Sequence, residues 1–452
     1  MTHGLAPYRP ASDEPPAERS FRKSARLVTE LRAVIPGGAH TYAKCDDQYP
    51  EHMAPVIVRG RGAHVWDVDG NEFIEYGSGL RSVILGHAHP RVNAAAMAAM
   101  DRGTNFVRPS VLELEAAEAM LSVLPRADMV KFAKNGSDVT TAAVRLARAV
   151  TGRDLVAICA DQPFFSVDDW FIGAAAMPAG IPQAVRDLTV GFPFNDLPSL
   201  TALLDAHPGE VACVVLEAAT AIDPAPGYFA GLRKLCDERG VLIVLDEMIT
   251  GFRWALGGAQ SVYDIDPDLS TFGKAIGNGF AVSALAGKRE YMQRGGFDHG
   301  QERVFLLSTT HGAETHALAA AIAVVDEFKE RPVPRHLAEI GSALRDGVRA
   351  LASAYGIEKN LLVLGPPQNL VFATLDQDGE RSQLFRTVFM EQLLLHGVLA
   401  TSFVVSDALS ENDVARTLQA VDAACAVYRR ALEDGVERHL HGRPVRPALR
   451  PY

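Results

Sequence analysis

The stretch from Val241 to Lys274 constrains this chain more than any other. It opens with VLIVLDE, an apolar run closed by two carboxylates, Asp246 and Glu247. A loop, MITGFRWALGG, follows, and LSTFGKAIGNG then delivers Lys274 among glycines. A short unbroken apolar run bounded by turn residues predicts a strand buried on both faces, as in a parallel sheet covered by helices. An acid at the end of one such strand and a lysine just after a later one can face a single crevice. That crevice lies beyond the carboxyl ends of the strands, where open α/β sheets bind ligands. A lysine there can form a Schiff base, and a buried acid can hold positive charge on a bound heterocycle. Taken singly, Asp246 reads more readily as a turn cap and Lys274 as a solvated surface group. The neighbouring sequence reverses that preference.

From about residue 129 the pattern is βαβ. MVKFAKN is strand-like, VTTAAVRLARAV is helical with Gly152 as its stop, and LVAICA and VACVVLE join VLIVLDE as buried parallel strands. FAGLRKLCDERG is the amphipathic crossover helix before the last of these, closed by Gly240. SALAGK predicts a strand returning to the sheet after Lys274, and HALAAAIAVVDEFKE a long helix. Upstream, VIVRGRGAHVWDVDGNEFIEYGSG alternates as a meander with Asp69-Gly70 at a hairpin turn, and Ser24–Val34 reads as a short helix. Ser110 with Glu113 forms a capping box for VLELEAAEAMLSVL. Beyond Pro332 and Pro334, helical runs alternate with LVLGPPQNLVFATL.

These patterns predict a large α/β domain with a mainly parallel sheet between helices, and a small α+β domain built from both chain ends. The expected bounds are a flexible head over 1–22, small-domain segments over 23–75 and 332–440, the large domain over 76–331, and a loose tail over 441–452.

The chain has 452 residues and a formal charge of −11, which offers no basic surface for nucleic acid or anionic membranes. Five cysteines without CxxC spacing, no apolar signal core and no membrane-length stretch point to a cytoplasmic protein without disulfides. The histidines fall in no recognised metal spacing, so no metal is expected.

In FAKNGSDVTTAAVRLAR, Gly136-Ser137 lies between a strand and a helix. Backbone N–H groups at a helix start, with a hydroxyl beside them, make a phosphate cradle. The same residues also suit plain capping by Ser137 or Asp138. No GxxxxGK[ST] occurs, and YGSGLRS has Ser82 where GxGxxG needs its third glycine, which argues against an ATPase or a dinucleotide enzyme. A phosphate cradle, a strand-end acid and a glycine-flanked lysine, in that order, form the constellation of a pyridoxal-phosphate enzyme.

At this point the chain resembles a family. IPGG, VWDVDGNEFIEY, LGHAHP, NGSD, RLARAVTGR, VLDEMITGFR, FGKAIGNG and STTHGAETHALAAA, in this order, are similar to the class III aminotransferases of fold type I. The resemblance runs from about residue 35 to 430 and is nearest the glutamate-1-semialdehyde aminomutase branch. It implies that Lys274 carries pyridoxal 5′-phosphate covalently and that Asp246 pairs with the pyridinium nitrogen. It places Met248 against one face of the ring, and Gly136 and Ser137 at the phosphate. Thr310 is expected to reach the phosphate in the other subunit's site, so the resemblance implies a homodimer with shared active sites. Glu217 matches the acid ending the preceding strand.

Two departures carry information. Where the family has a Tyr-His-Gly segment stacking on the cofactor, this chain has DQPFFSVDDWF, so either Phe164 or Phe165 stacks, or both are core. Where the aminomutases carry an arginine that grips the substrate carboxylate, ungapped alignment puts Lys44, which lacks the planar two-point grip of guanidinium. That disfavours the aminomutase reaction. IPGGAHTYAK, DDQYPE, NGSDVTTAAVRLAR and QPFFSVDDWFIG look most like aminotransferases of aminoglycoside antibiotic biosynthesis acting on a 6′-oxo amino sugar, with glutamate as donor. Lys44, His40, Tyr42 and Asp47 are then candidate pocket residues, or members of an ordinary surface loop. The alternatives are an epimerase or eliminating enzyme on an aminoglycoside, and a non-catalytic cofactor-binding protein.

Overall fold

The computed structural model describes residues 19–448 and residue 450. Residues 1–18 of the expected head, and 449, 451 and 452 of the expected tail, lie outside the described residues.

The chain enters through a helix at Arg22–Val34. The meander follows as Ile57–Arg61 (β1), His64–Asp67 (β2) and Glu72–Glu75 (β3). The turn at Asp69-Gly70 is held by the Asp67 carboxylate, which accepts the N–H groups of Asp69 (3.0 Å) and Asn71 (2.8 Å). Next come Met129–Ala133 (β4), Leu155–Cys159 (β5), Thr189–Phe192 (β6), Val211–Glu217 (β7), Leu242–Asp246 (β8), Leu269–Phe272 (β9) and Ser283–Gly287 (β10). The last strands are Leu361–Leu364 (β11), Asn369–Thr374 (β12), Val398–Leu399 (β13) and Phe403–Val404 (β14).

Seven strands make the main sheet in the order β4-β10-β9-β8-β7-β5-β6. It is parallel except for β10, which runs antiparallel to both neighbours. The predicted strands at 129, 155, 211, 242 and 283 are all present. β6 escaped the sequence reading, because TVGF is short, contains glycine and shows no alternation. β13 pairs with β3, so residues from both ends of the chain share the four-stranded sheet β1-β2-β3-β13, and β11-β12-β14 form a third.

The Gly136–Thr151 helix fixes the site end of the main sheet. It buries Val139, Val144 and Leu146 completely, and the helix packs on β10, β9 and β7. Each such side chain contributes roughly 1.5–3 kcal/mol relative to exposure. Asp138 accepts the N–H groups of Asn135 (2.8 Å) and Lys134 (3.3 Å), and Gly152 closes the helix in the left-handed region. On the opposite side, the Thr315–Glu330 and Pro90–Met100 helices pack together in a second apolar cluster. Among the described residues all five cysteines are free and buried, no helix is long and apolar enough to cross a membrane, and no cluster of three or more His, Cys, Asp or Glu could hold a metal ion.

Candidate active site

Strand register lines up the chemistry. Glu217 of β7 pairs with Asp246 of β8, and Asp246 pairs with Thr271 of β9. Directly paired residues in a sheet point to the same face. The three side chains therefore form a row at the carboxyl ends of adjacent strands. Lys274 follows in a 3-10 turn, Lys274–Gly277, with a left-handed backbone (φ 47°). Such a φ on a side-chain-bearing residue costs of order 1 kcal/mol and persists only where the surroundings enforce it. Asn278 ends the turn and ties it down, accepting the Leu85 N–H (2.8 Å) and donating to the Gly86 carbonyl (3.1 Å).

Alternation separates the two adjacent carboxylates. Asp246 points into the row, and its Oδ1 accepts the Met248 N–H (2.8 Å). Glu247 points away and pins the following loop, accepting the N–H groups of Ala259 (3.0 Å) and Gln260 (2.8 Å) and the Thr250 hydroxyl. Gln162, buried after β5, extends the sheet with its side-chain amide. It donates to the Glu217 carbonyl (3.0 Å) and accepts the Glu217 N–H (2.7 Å). The sequence reading missed it, although a glutamine just past a buried strand is a visible signal.

The electrostatics follow from burial. Burial pushes the Glu217 and Asp246 carboxyls well above the usual carboxylate range; Asp246 adds to the rise at Glu217, and Lys274 opposes it at both. Burial holds Lys274 below the usual ammonium range, with Arg81 and Arg253 adding to the fall and the two carboxyls opposing it. Glu217 Oε2 is buried without a hydrogen-bond partner. Among the described residues neither Asp246 nor Glu217 forms an ion pair.

These observations fit pyridoxal 5′-phosphate. A buried carboxyl that forms no ion pair suits a pyridinium nitrogen, and a lysine of lowered basicity suits a carbonyl. The N–H groups of Gly136 and Ser137 open a four-turn helix with no carbonyl behind them, which suits a phosphate. Gly136 and Gly273 flank Met248 so closely that a Cβ on either would lie within 2.8 Å of its Sδ. That leaves the Met248 side chain packed beside the row. The Ser137 hydroxyl accepts the Val167 N–H (3.0 Å), drawing the loop after Phe165 over the helix start.

The remaining expected residues are placed as follows. Phe165 is core (2% exposed), whereas Phe164 is 43% exposed and meets Phe171 edge-on. Thr310 is exposed, its carbonyl accepting from Asn105 Nδ2 (2.9 Å). Lys44 lines a cavity of about 380 Å³ together with Asp46, Glu75, His87, Leu80 and Thr401. Tyr42 and Asp47 line a neighbouring one, and His40 is exposed.

Comparison with known proteins gives the family and the fold. The family model described as aminotransferase class-III matches residues 46–404. Glutamate-1-semialdehyde 2,1-aminomutase of Desulfatibacillum aliphaticivorans is 31% identical over 425 residues, covering 89% of this chain and 99% of that protein. The PLP internal aldimine form of the FumI protein of Sphingopyxis sp. MTA144 superposes with a TM-score of 0.81 at 28% identity, over 90% of this chain and 97% of that one. An omega-transaminase from Sphaerobacter thermophilus gives 0.80 at 27% identity, with the same coverage.

Proposed function

The chain belongs to the class III aminotransferases, fold type I enzymes that use pyridoxal 5′-phosphate, and from that premise we propose that it moves an amino group from glutamate to a 6′-oxo amino sugar in aminoglycoside biosynthesis. The observation that carries the acceptor is the cavity behind Leu80. Lys44 stands there in place of the arginine of the aminomutases, and Glu75, whose oxygens take the Gly79 N–H and His87, lends the same wall a negative charge that suits the ammonium groups of an amino sugar.

Pyridoxal phosphate, when bound, supplies an aldehyde that takes up amino groups and a ring that withdraws electrons. Lys274 is the residue that would hold the cofactor's aldehyde, and its Nζ would move the proton from the donor's Cα. Burial lowers the basicity of Lys274, which favours the freed amine as a proton acceptor. Asp246 holds the positive charge on the ring nitrogen, with Glu217 beside it in the row. Gly136 and Ser137 would donate to the phosphate, and Met248 and Phe164, the more accessible phenylalanine, would pack against the ring.

The site is completed by a second copy of the chain. The exposed side chains of Met97, Phe106, Val107, Val111, Leu114 and Phe305 support such an interface, and Thr310 reaches the partner's phosphate from it. Residues 76–331 form the cofactor-binding domain, with 23–75 and 332–440 folding together beside it. The pairing of β3 with β13 supports that division.

The test follows the cofactor's absorbance. Glutamate alone bleaches the visible band, and a 6′-oxo aminoglycoside restores it. A spectrum indifferent to glutamate, with solvent-proton exchange into an amino sugar alone, would replace this reading with an epimerase or eliminating enzyme.

A further inference from the structure

Five consecutive residues, Gly77 to Arg81, have positive φ: 99°, 45°, 57°, 58° and 73°. Gly79 and Leu80 also have ψ near 45°, so the segment is a turn of left-handed helix. Three of the five bear side chains, and each pays roughly 1–2 kcal/mol for this hand. The surroundings over-determine the turn. Glu75 Oε1 accepts the Gly79 N–H (3.1 Å), while its Oε2 pairs with His87 Nε2 (3.1 Å). The Ser82 hydroxyl donates to the Gly79 carbonyl (2.7 Å), and the Gly77 N–H reaches the Val404 carbonyl (3.1 Å). Arg253, fully buried, donates through Nη2 to the Arg81 carbonyl (3.1 Å) and through Nη1 to Val405 (2.8 Å).

What this strained turn presents is Arg81. The turn packs on the Lys274 turn, and Arg81 is near enough to perturb both Lys274 and Glu217. Its Nε donates to the buried Asn369 Oδ1 (2.8 Å), which fixes the guanidinium plane. Among the described residues no protein acceptor takes its two terminal nitrogens, and neither Arg81 nor Arg253 forms an ion pair. A guanidinium held at one edge, with its two-nitrogen fork free beside a Schiff-base lysine, is the donor pattern for a carboxylate.

We infer that Arg81, aimed by the left-handed turn and oriented by Asn369, binds the carboxylate of the amino donor. The inference rests on the reading that an amino acid is the donor, but it names a different residue and a different contact.

The test uses the holoenzyme and the variants Arg81→Gln and Arg81→Lys, with retained melting temperature and cofactor absorbance as the check on folding. Glutarate, a dicarboxylate without an amine, is titrated calorimetrically. L-Glutamate and butylamine, which has no carboxylate, are titrated through the cofactor band. Arg81→Gln is expected to weaken glutarate and glutamate binding at least about tenfold and leave butylamine unchanged, and Arg81→Lys is expected to recover part of the loss. Unchanged glutarate affinity in Arg81→Gln, an equal loss for butylamine, or no glutarate binding by the wild type would each overturn the inference. If glutamate leaves the wild-type spectrum unchanged while glutarate binding still depends on Arg81, the donor reading fails and the anion site stands.

Discussion

The carboxyl edge of the main sheet and the Gly77–Arg81 turn meet at Lys274, yet they are built in opposite ways. Along the sheet edge, Glu217, Asp246 and Thr271 take their positions from strand register in a fully buried, regular sheet. Nothing there is strained until Lys274 itself. The turn is strained throughout, and is kept by the flanking side chains of Glu75 and Ser82 and by Arg253 from a distant part of the chain. The sheet edge holds groups whose charge states are set by burial. The turn holds a permanent cation whose direction is set by its clamps. A scaffold of this kind can keep its chemistry fixed while its selectivity changes with a few clamping residues.

The sharpest way to break the comparison is at the sheet edge. Lys274→Ala is expected to lower turnover by about a thousandfold or more and to abolish the covalently bound cofactor's absorbance, while unfolding stability shifts by less than ~1 kcal/mol. A variant that kept full activity would sink the assignment of Lys274. Asp246→Asn keeps the acceptor for the Met248 N–H but loses the negative charge. Its kcat should fall about a hundredfold with a smaller change in KM, measurable in steady-state kinetics.

At the turn the balance reverses. Arg253→Met leaves the Arg81 and Val405 carbonyls without their donor, and relief of the arginine's own desolvation offsets part of that cost. Burial already holds that guanidinium at about 9. A net loss of about 2 kcal/mol in denaturant unfolding is expected, together with weaker donor binding as Arg81 loses its aim. If stability fell but donor affinity did not, the turn would be scaffolding alone.

The smallest effect concerns Glu217 in cofactor-free protein. Its folded-state pKa is raised above the ordinary carboxylate value, so the folded state holds the proton more tightly. The stability this contributes is present below the unfolded pKa and is lost as pH rises through the folded one. Glu217→Gln cannot ionise. Its advantage over wild type should therefore grow, by about 1–2 kcal/mol, as the pH rises from weakly acid to weakly alkaline. Calorimetric scans across that range would show it, and a constant difference would mean that Glu217 is not forced to ionise in the dry row.

Much of this site was legible beforehand. VACVVLE and VLIVLDE announce buried strands because they are apolar on both faces, and their terminal acids can only lie at the strand ends. Asp138 and Gly152 mark the helix that starts beside those ends, since caps and left-handed stops are local chemistry, although the N-cap is Asn135 rather than Ser137 or Asp138. Lys274 stands out because glycines on both sides permit the turn that it occupies. β6 was not legible, because four residues with a glycine carry too little periodicity.

Local sequence thus determined the strands, the helix start and the places of Asp246 and Lys274 at the strand ends. Each depends on hydrophobic period or capping within a few residues. Tertiary structure alone decided the rest: which phenylalanine is buried, that Gln162 extends the sheet, and that GSGLR winds left-handed to present Arg81. Those outcomes depend on partners tens to hundreds of residues away. A single left-handed residue is tolerated by glycine locally, but a run through Ser78, Leu80 and Arg81 needs the distant Arg253 hydrogen bond as well as the local clamps of Glu75 and Ser82 to outweigh its cost.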